Sequence, residues 1–206
     1  MTRRLVLLRH GRTAWNLVQR AQGHTDVELD EVGHAQAAAA APVLARLRPS
    51  ALWASDLARA RQTSDYLAEL TGLSVKCDER LREFDVGGRQ GLTPAEFAER
   101  HPREHARWTA AKDLVSVLGA EAAADVSARI VPALRECLTS LGEGETGIVV
   151  SHGAALKVGL LGLLGWPVES YLDLSGLHNC AWATVETRGP DDRVRLAGYN
   201  ERAPLA

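Results

Sequence analysis

Two histidine–glycine pairs, each at the end of a short apolar run, have the types and spacing to carry out chemistry. The first lies in Leu8-Arg9-His10-Gly11 and the second in Val150-Ser151-His152-Gly153. In open parallel sheets, ligands bind outside the carboxyl ends of the strands, so both histidines are expected in one crevice. Each glycine permits a sharp turn and a close approach of a ligand. Together with Arg9, whose planar group bonds two phosphate oxygens at once, they predict a cationic pocket for a phosphoryl group.

A single histidine is more often a hydrogen-bonded structural residue than a catalyst. We interpret five histidines in this way, namely His24, His34, His101, His105 and His178. For His10 and His152, the pattern alone leaves catalysis, anion binding and a structural role open.

Predicted strands and predicted helices alternate along the whole chain, and these elements must position the residues named above. Apolar runs predict strands, Ala-rich or capped stretches predict helices, and Ser55 is the expected cap of the second helix. This alternation is typical of the α/β class, with a three-layer α/β/α arrangement and a mostly parallel sheet in a single domain, residues 1–206. The predicted strands are 5–8, 51–54, 73–77, 148–150, 179–187 and 194–199 with a hairpin turn at 189–192, and the predicted helices are 30–47, 57–70, one from 94, 122–141 and 153–164.

Composition narrows the classes of partner. The 206 residues carry a formal net charge of only -2, so the chain has no overall field for nucleic acid or an anionic membrane. No stretch of about twenty apolar residues is present, and the apolar run Leu5 to Leu8 is too short for a signal peptide. Three scattered cysteines suit a reducing compartment. We therefore expect a cytoplasmic protein.

Five segments, in order, resemble the histidine phosphatase (phosphoglycerate mutase-like) superfamily. A lone Arg-His-Gly triplet would be weak, but the ordered set spans residues 5 to about 155 and is specific. The resemblance implies the α/β fold of that superfamily. The segments are Leu7 to Gly11 with Thr13 and Trp15-Asn16, Gln22-Gly23-His24 with Leu29 to Gly33, Ser55 to Thr63, Leu81 to Gly87, and Ser151-His152-Gly153.

The resemblance implies catalytic roles for five residues. His10 would be the nucleophile that forms a phosphohistidine, with its other ring nitrogen held by a backbone carbonyl. Arg9, Arg59 and His152 would bind the phosphoryl oxygens and stabilise their charge. Glu83 would protonate the leaving alcohol and then activate water. No metal and no cofactor is implied, because the cationic side chains supply the charge.

Two of these residues have simpler interpretations when the resemblance is set aside. Glu83 would be a surface carboxylate paired with Arg80 or Arg82. Arg59 would be a solvated helix residue beside Arg61. Only the surrounding motif favours a catalytic role for Glu83 and Arg59.

Substrate recognition is where the chain departs from the family pattern. Arg12 stands where Glu or Gln is usual, and it either favours a substrate with a second anionic group or is a solvated helix-start residue. Arg89 stands where Trp is common. The expected substrate-binding residues are Asn16, Arg12, Gln22, Gly23 and Gly153.

The length and the short middle region resemble the smaller phosphatase branch rather than the longer cofactor-dependent mutases. The implied activity is metal-independent hydrolysis of a small phosphorylated metabolite, either a sugar phosphate or a phosphoglycerate derivative, with glucosyl-3-phosphoglycerate as one candidate. Two alternatives stay open: a cofactor-dependent phosphoglycerate mutase, and a binding or regulatory module for a phosphate ligand on the same fold. Assembly into a homodimer is also left open.

Overall fold

A six-stranded sheet forms the middle layer of the structure, a computed structural model that describes residues 2–111, 117–188 and 193–204. The strands lie side by side in the order β3-β2-β4-β1-β5-β6. Only β5 runs against the others, pairing antiparallel with β1 and β6, so the predicted mostly parallel sheet is confirmed. The strands are β1 (Arg4–Arg9), β2 (Ala51–Ala54), β3 (Val75–Cys77), β4 (Thr146–Ser151), β5 (Trp182–Arg188) and β6 (Arg193–Glu201).

Helices cover both faces of this sheet. The helices are α1 (Ala14–Leu17), α2 (Glu31–Ala45), α3 (Ala58–Thr71), α4 (Pro94–Arg100), α5 (Pro102–Ala111), α6 (Ala123–Thr139) and α7 (Gly153–Leu164). Alternate residues of β1 are buried on opposite faces: Leu5 and Leu7 pack on the side of α6 and α7, whereas Val6 and Leu8 pack on the side of α2 and α3. This arrangement confirms the predicted three-layer α/β/α class.

Local sequence signals account for several element ends. Asp30 caps α2, because its Oδ1 accepts a hydrogen bond of 2.8 Å from the N–H of Gly33. Gly72 ends α3 in the left-handed conformation, and Thr93 caps α4 in a capping box with Glu96. The predicted turn at 189–192 lies outside the described residues. Within the described ranges, no helix is both long enough and apolar enough to cross a bilayer.

The prediction that Ser55 caps the second helix is wrong. That helix, α3, begins at Ala58, and its N-cap residue is Leu57, which makes no side-chain cap bond. The N–H of Ala58 instead donates to Asp26 Oδ1 at 2.6 Å. The Ser55 hydroxyl is fully buried, 2.9 Å from Nε2 of His152, and therefore belongs to the group of residues behind the strand ends.

Two glycines allow the loop after β1 to lie directly against the start of α2. A Cβ atom at Gly11 would lie 2.5 Å from the carbonyl oxygen of Gly33, and one at Gly33 would overlap the carbonyl oxygen of Arg12. Hydrogen bonds reinforce this contact, since the N–H of Asp30 donates to Arg12 O at 3.0 Å. The backbone that carries His10 is thereby held against a helix on one face of the sheet.

We predict that Gly33→Ala destabilises the protein, because the new methyl group meets backbone atoms that cannot turn away. The free energy of unfolding should fall by about 1–3 kcal/mol, the usual cost of overpacking. Urea denaturation followed by circular dichroism would measure this change. Gly176→Ala is the matched control, because a Cβ atom there has open space around it. Equal stability of the two variants would contradict the prediction.

Candidate active site

The pairing of β1 with β4 places the two histidines side by side. The strands are parallel and in register, with Arg9 opposite Ser151, so the residue that follows each strand occupies the same level. The N–H of His10 donates to Ser151 O at 3.0 Å. The rings of His10 and His152 meet edge to face, with centroids 5.2 Å apart. The two histidines thus lie side by side at the strand ends as expected, although only His10 lines the cavity described below.

The ring of His10 is held in one tautomer. Its Nδ1 lies 2.6 Å from the carbonyl oxygen of Gly11, and because a carbonyl only accepts, Nδ1 carries the hydrogen. Burial, followed by the charges of Arg59 and Arg9, lowers the pKa of His10 well below 6.5, although the bond to Gly11 acts in the opposite direction. The neutral ring therefore keeps a lone pair on Nε2, which makes this nitrogen a nucleophile.

A cavity of about 260 Å³ opens beside His10. Seven of the predicted site residues line it, whereas Arg12, Gly153 and His152 do not. The other lining residues include two further arginines and an apolar group that could contact the organic part of a ligand. The predicted lining residues are Arg9, His10, Asn16, Gln22, Gly23, Arg59 and Glu83, and the others are Arg20, Ala21, Phe84, Val86, Arg89, Ala154 and Tyr171.

Arg59 is fully buried, so the interpretation of this residue as a solvated helix side chain is wrong. Its Nη1 and Nη2 donate to the carbonyl oxygens of Thr25 and Gly23, both at 2.8 Å. Its Nε donates to Nδ1 of His152 at 3.2 Å. These bonds use three of five N–H groups and leave two for an anion. Burial lowers the pKa of Arg59 to about 10, although the nearby carboxylate of Glu83 raises it.

Arg9 and Gln22 bring buried polar atoms without partners to the same cavity. Arg9 Nη1 donates to Leu177 O at 2.6 Å, but neither Arg9 Nε nor Gln22 Oε1 has a hydrogen-bond partner in the described part of the chain. Gly153 does not line the cavity; it leaves room for Arg9, whose Nε lies 3.3 Å from where a Cβ atom would stand. Buried polar groups normally have partners, so these two atoms are exceptions among the described residues.

The expected contact of His152 with a phosphoryl oxygen needs correction. His152 is fully buried behind His10, and both of its ring nitrogens have protein partners. Arg59 Nε always donates, so Nδ1 of His152 accepts and its Nε2–H donates to Ser55 Oγ at 2.9 Å. Burial, followed by the charge of Arg59, lowers the pKa of His152 well below 6.5, which keeps the ring neutral. His152 thus orients Arg59 and packs against His10.

The predicted substrate-binding role of Arg12 also needs correction. Its Nε forms an ion pair of 2.8 Å with Oδ2 of Asp30, the residue that caps α2, and its backbone N–H donates to Gln36. The capping carboxylate attracts this guanidinium to the helix end. Arg12 is therefore neutralised outside the cavity.

Glu83 lies on the cavity wall rather than in a surface ion pair. Its Oε2 accepts from the N–H of Ala154 at 3.1 Å and its Oε1 from that of Ala155 at 2.8 Å, both in the first turn of α7. Arg80 and Arg82 pair with other carboxylates. The helix N-terminus thus fixes the Glu83 carboxyl group within the site.

Arg129 of α6 positions the segment that carries Glu83. This role of Arg129 was not predicted from the sequence. Its Nη1 donates to the carbonyl oxygens of Arg80 at 2.9 Å and Arg82 at 2.7 Å, and its Nη2 to that of Glu83 at 2.8 Å. Glu121 balances its charge through an ion pair of 2.8 Å. No spacing in the sequence indicates this role, because the contact joins distant segments.

Asn179 was likewise missed, because the sequence places it at the start of a strand. The strand begins only at Trp182, after Cys180 with a φ of 52°. Asn179 Nδ2 donates to His10 O at 3.1 Å and to Asn16 Oδ1 at 3.3 Å. The Asn16 side chain is thereby turned so that its own amide nitrogen is available to the cavity.

Side chains that could bind a metal ion do not cluster in the described part of the chain. Within those ranges, no group of three or more His, Cys, Asp or Glu side chains could hold a metal ion.

Comparisons with known proteins agree on one family. The profile of the histidine phosphatase superfamily (branch 1) matches residues 5–201. A glucosyl-3-phosphoglycerate phosphatase from Mycobacterium tuberculosis is 40% identical over 198 residues, covering 89% of this chain and 85% of that protein. A solved mycobacterial glucosyl-3-phosphoglycerate phosphatase in complex with VO3 has a TM-score of 0.87 and 37% identity, covering 96% and 99% of the two chains. A probable phosphoglycerate mutase from Erwinia tasmaniensis is 34% identical, covering 87% and 83%.

The two buried neutral histidines predict that stability falls in acid. Below pH 6.5, His10 and His152 bind protons in the unfolded chain but not in the folded protein, because their folded pKa values are lower. Each should therefore lower the free energy of unfolding by up to about 1.4 kcal/mol per pH unit until the pH reaches its folded pKa. Urea denaturation between pH 7.5 and 5.5 would measure this slope. His10→Gln should reduce the slope, and an unchanged slope would contradict the prediction.

Proposed function

Because the chain belongs to the histidine phosphatase superfamily, we propose that it hydrolyses a small phosphorylated metabolite through a phosphohistidine at His10. It is a phosphatase, and the proposal concerns its mechanism and substrate. The observation that carries the proposal is the state of the His10 ring. Its Nδ1 is held by Gly11 O, and no residue that the structure describes hydrogen-bonds Nε2, which leaves that nitrogen for a ligand in the cavity that Arg9 and Arg59 also line.

In the first half of the reaction, the phosphoryl group moves to His10. Nε2 attacks phosphorus while the bond from phosphorus to the ester oxygen breaks, and the carboxyl group of Glu83 gives its proton to that oxygen. Arg9 and Arg59 bind the phosphoryl oxygens and stabilise their charge as the group is transferred. The amide nitrogen of Asn16 adds a neutral donor.

In the second half, water removes the phosphoryl group. The carboxylate of Glu83 takes a proton from water as its oxygen attacks phosphorus, and the bond from phosphorus to Nε2 breaks. Inorganic phosphate leaves, His10 is again neutral, and Glu83 is again protonated. In this scheme the arginines supply the positive charge and no metal takes part.

We propose glucosyl-3-phosphoglycerate, or a closely related phosphoglycerate derivative, as the substrate. The similarity to mycobacterial glucosyl-3-phosphoglycerate phosphatase, in sequence and in structure, supports this choice. The cavity wall also offers apolar contacts for the organic part of such an ester, through Phe84, Val86 and Tyr171. We propose a cytoplasmic location, as the scattered free cysteines predict.

A phosphoglycerate mutase is the second candidate, favoured by the similarity to the Erwinia protein. The two activities differ in the fate of the phosphohistidine, which water hydrolyses in one case and a second substrate hydroxyl accepts in the other. Conversion of 3-phosphoglycerate to 2-phosphoglycerate that depends on 2,3-bisphosphoglycerate would identify the mutase.

We expect p-nitrophenyl phosphate hydrolysis to persist in EDTA and to be lost in His10→Ala, because the nucleophile is the histidine. A loss of at least about a thousandfold in kcat/KM is expected for removal of a nucleophile. Release of p-nitrophenol would be followed with the wild type, His10→Ala and His34→Ala, whose ring lies against Tyr66 away from the cavity.

Activity that survives in His10→Ala would contradict the nucleophile assignment, and activity that EDTA abolishes would contradict the metal-independent mechanism. A wild type that is inert toward a panel of phosphomonoesters would favour the mutase or a binding module instead.

Arg129→Met should impair protonation of the leaving group, because Glu83 loses the side chain that holds its backbone. An alkoxide needs a proton to leave, whereas p-nitrophenolate does not. We expect kcat/KM for an alkyl phosphate to fall about 10–100-fold, with a smaller loss for p-nitrophenyl phosphate. Arg135→Met, on the exposed side of the same helix, is the matched control. Equal losses for both substrates would indicate a merely structural role for Arg129.

A further inference from the structure

Four arginines line the cavity, and three of them have hydrogen-bond partners in the protein. Arg9 and Arg59 are held by carbonyl oxygens beside His10. Arg20 is neutralised by Glu96, which accepts at 2.7 Å and 3.0 Å. The guanidinium of Arg89 differs: within the described ranges it makes neither a hydrogen bond nor an ion pair. Among the described residues, it is therefore a cation that no carboxylate pairs with.

Aromatic rings hold Arg89 in place. Its Cζ lies 3.9 Å from the centroid of the Trp108 ring and 5.7 Å from that of Phe97. Phe97 is buried and meets Trp108 edge to face, so the two rings form a fixed support. A guanidinium held by its face keeps its N–H groups in the plane, where two of them can bond both oxygens of a carboxylate.

Arg89 lies on the cavity wall, in the chain segment that also carries Glu83. It ends the short 3₁₀ turn Gly87–Arg89, which follows Glu83 in the chain. Glu83, Phe84, Val86 and Arg89 all line the cavity. In the proposed mechanism Glu83 protonates the leaving oxygen, so the side chains that continue along this segment contact what is attached to that oxygen. The phosphoryl group itself is proposed to bind beside His10, Arg9 and Arg59.

We infer that Arg89 binds a carboxylate on the leaving group of the substrate, and that Arg89 rather than Arg12 selects esters with a second anion. The inference rests on the proposed function, because it needs the leaving group on the side of Glu83. It also accounts for the residue at this position, where the family pattern commonly has Trp: an arginine stacked on Trp108 adds a charge that tryptophan lacks. Burial lowers the pKa of Arg89, but an arginine stays protonated at neutral pH.

Two ligands of similar size test this inference. 3-Phosphoglycerate carries a carboxylate where glycerol 3-phosphate carries a hydroxymethyl group. The measurement is the inhibition constant of each against p-nitrophenyl phosphate hydrolysis, with the wild type, Arg89→Met, Arg89→Gln and Arg12→Met. For a compound that the enzyme hydrolyses, the inhibition constant equals its KM, and the ratio of the two constants still compares how the enzyme recognises the two leaving groups. The two substitutions at Arg89 guard against misfolding of one of them, and thermal unfolding monitors each variant.

We expect the wild type to bind 3-phosphoglycerate at least about tenfold more tightly than glycerol 3-phosphate, as for a charge-assisted pair. This ratio should approach one in both Arg89 variants and stay at the wild-type value in Arg12→Met. A ratio near one in the wild type, or a ratio unchanged in the Arg89 variants, would overturn the inference. An equal fall in Arg12→Met would also overturn it, because it would indicate a general effect of charge. Failure of the proposed function is distinguished from failure of this inference by the wild type, which would then hydrolyse no phosphomonoester.

Discussion

The register between two parallel strands is the constraint on which the active site depends. Since β1 and β4 end at the same level, the residues that follow them are neighbours, and His10 and His152 meet without a loop having to carry either one. The sheet then fixes what surrounds them. Ser55 follows β2, the strand on the other side of β4, and its hydroxyl lies against His152. A shift of one residue in either strand would separate His10 from the His152 ring that packs on it and orients Arg59.

Two sets of arginines differ in what holds them. Peripheral arginines such as Arg12 and Arg82 pair with carboxylates, and their charge is offset. Arg9 and Arg59 are held mainly by carbonyl oxygens, which orient a guanidinium without neutralising it. Positive charge is thus kept where the phosphoryl group is proposed to bind, and Glu83 is the one carboxylate among the described lining residues. Burial, followed by the charges of these same cations, lowers the pKa of His10 and keeps its ring neutral.

The sequence was sufficient to predict a mostly parallel sheet, helices on both of its faces and seven of the residues that line the cavity. Apolar runs and caps are local signals, and an ordered set of motifs identified Arg59 and Glu83, which composition alone would have placed on the surface. Other features could not be predicted because they depend on contacts between distant segments. Arg129 reaches carbonyl groups 46 to 49 residues away. Arg12 had an acidic partner 18 residues along the chain, and the role of His152 changed because both of its ring nitrogens were already bonded.

Two walls of the cavity are formed by different kinds of chain segment. One is made from the ends of strands at the centre of the sheet, where a substitution disturbs the core of the molecule. The other is the irregular stretch from residue 83 to Arg89, backed by the rings of α4 and α5. In the proposed mechanism, this stretch supplies the acid–base carboxylate of Glu83 as well as the side chains proposed to contact the leaving group, whereas the strand ends supply Arg9 and His10. Substitutions from Phe84 to Arg89 can therefore change the preferred ester while the strand-end residues that bind and accept the phosphoryl group stay the same.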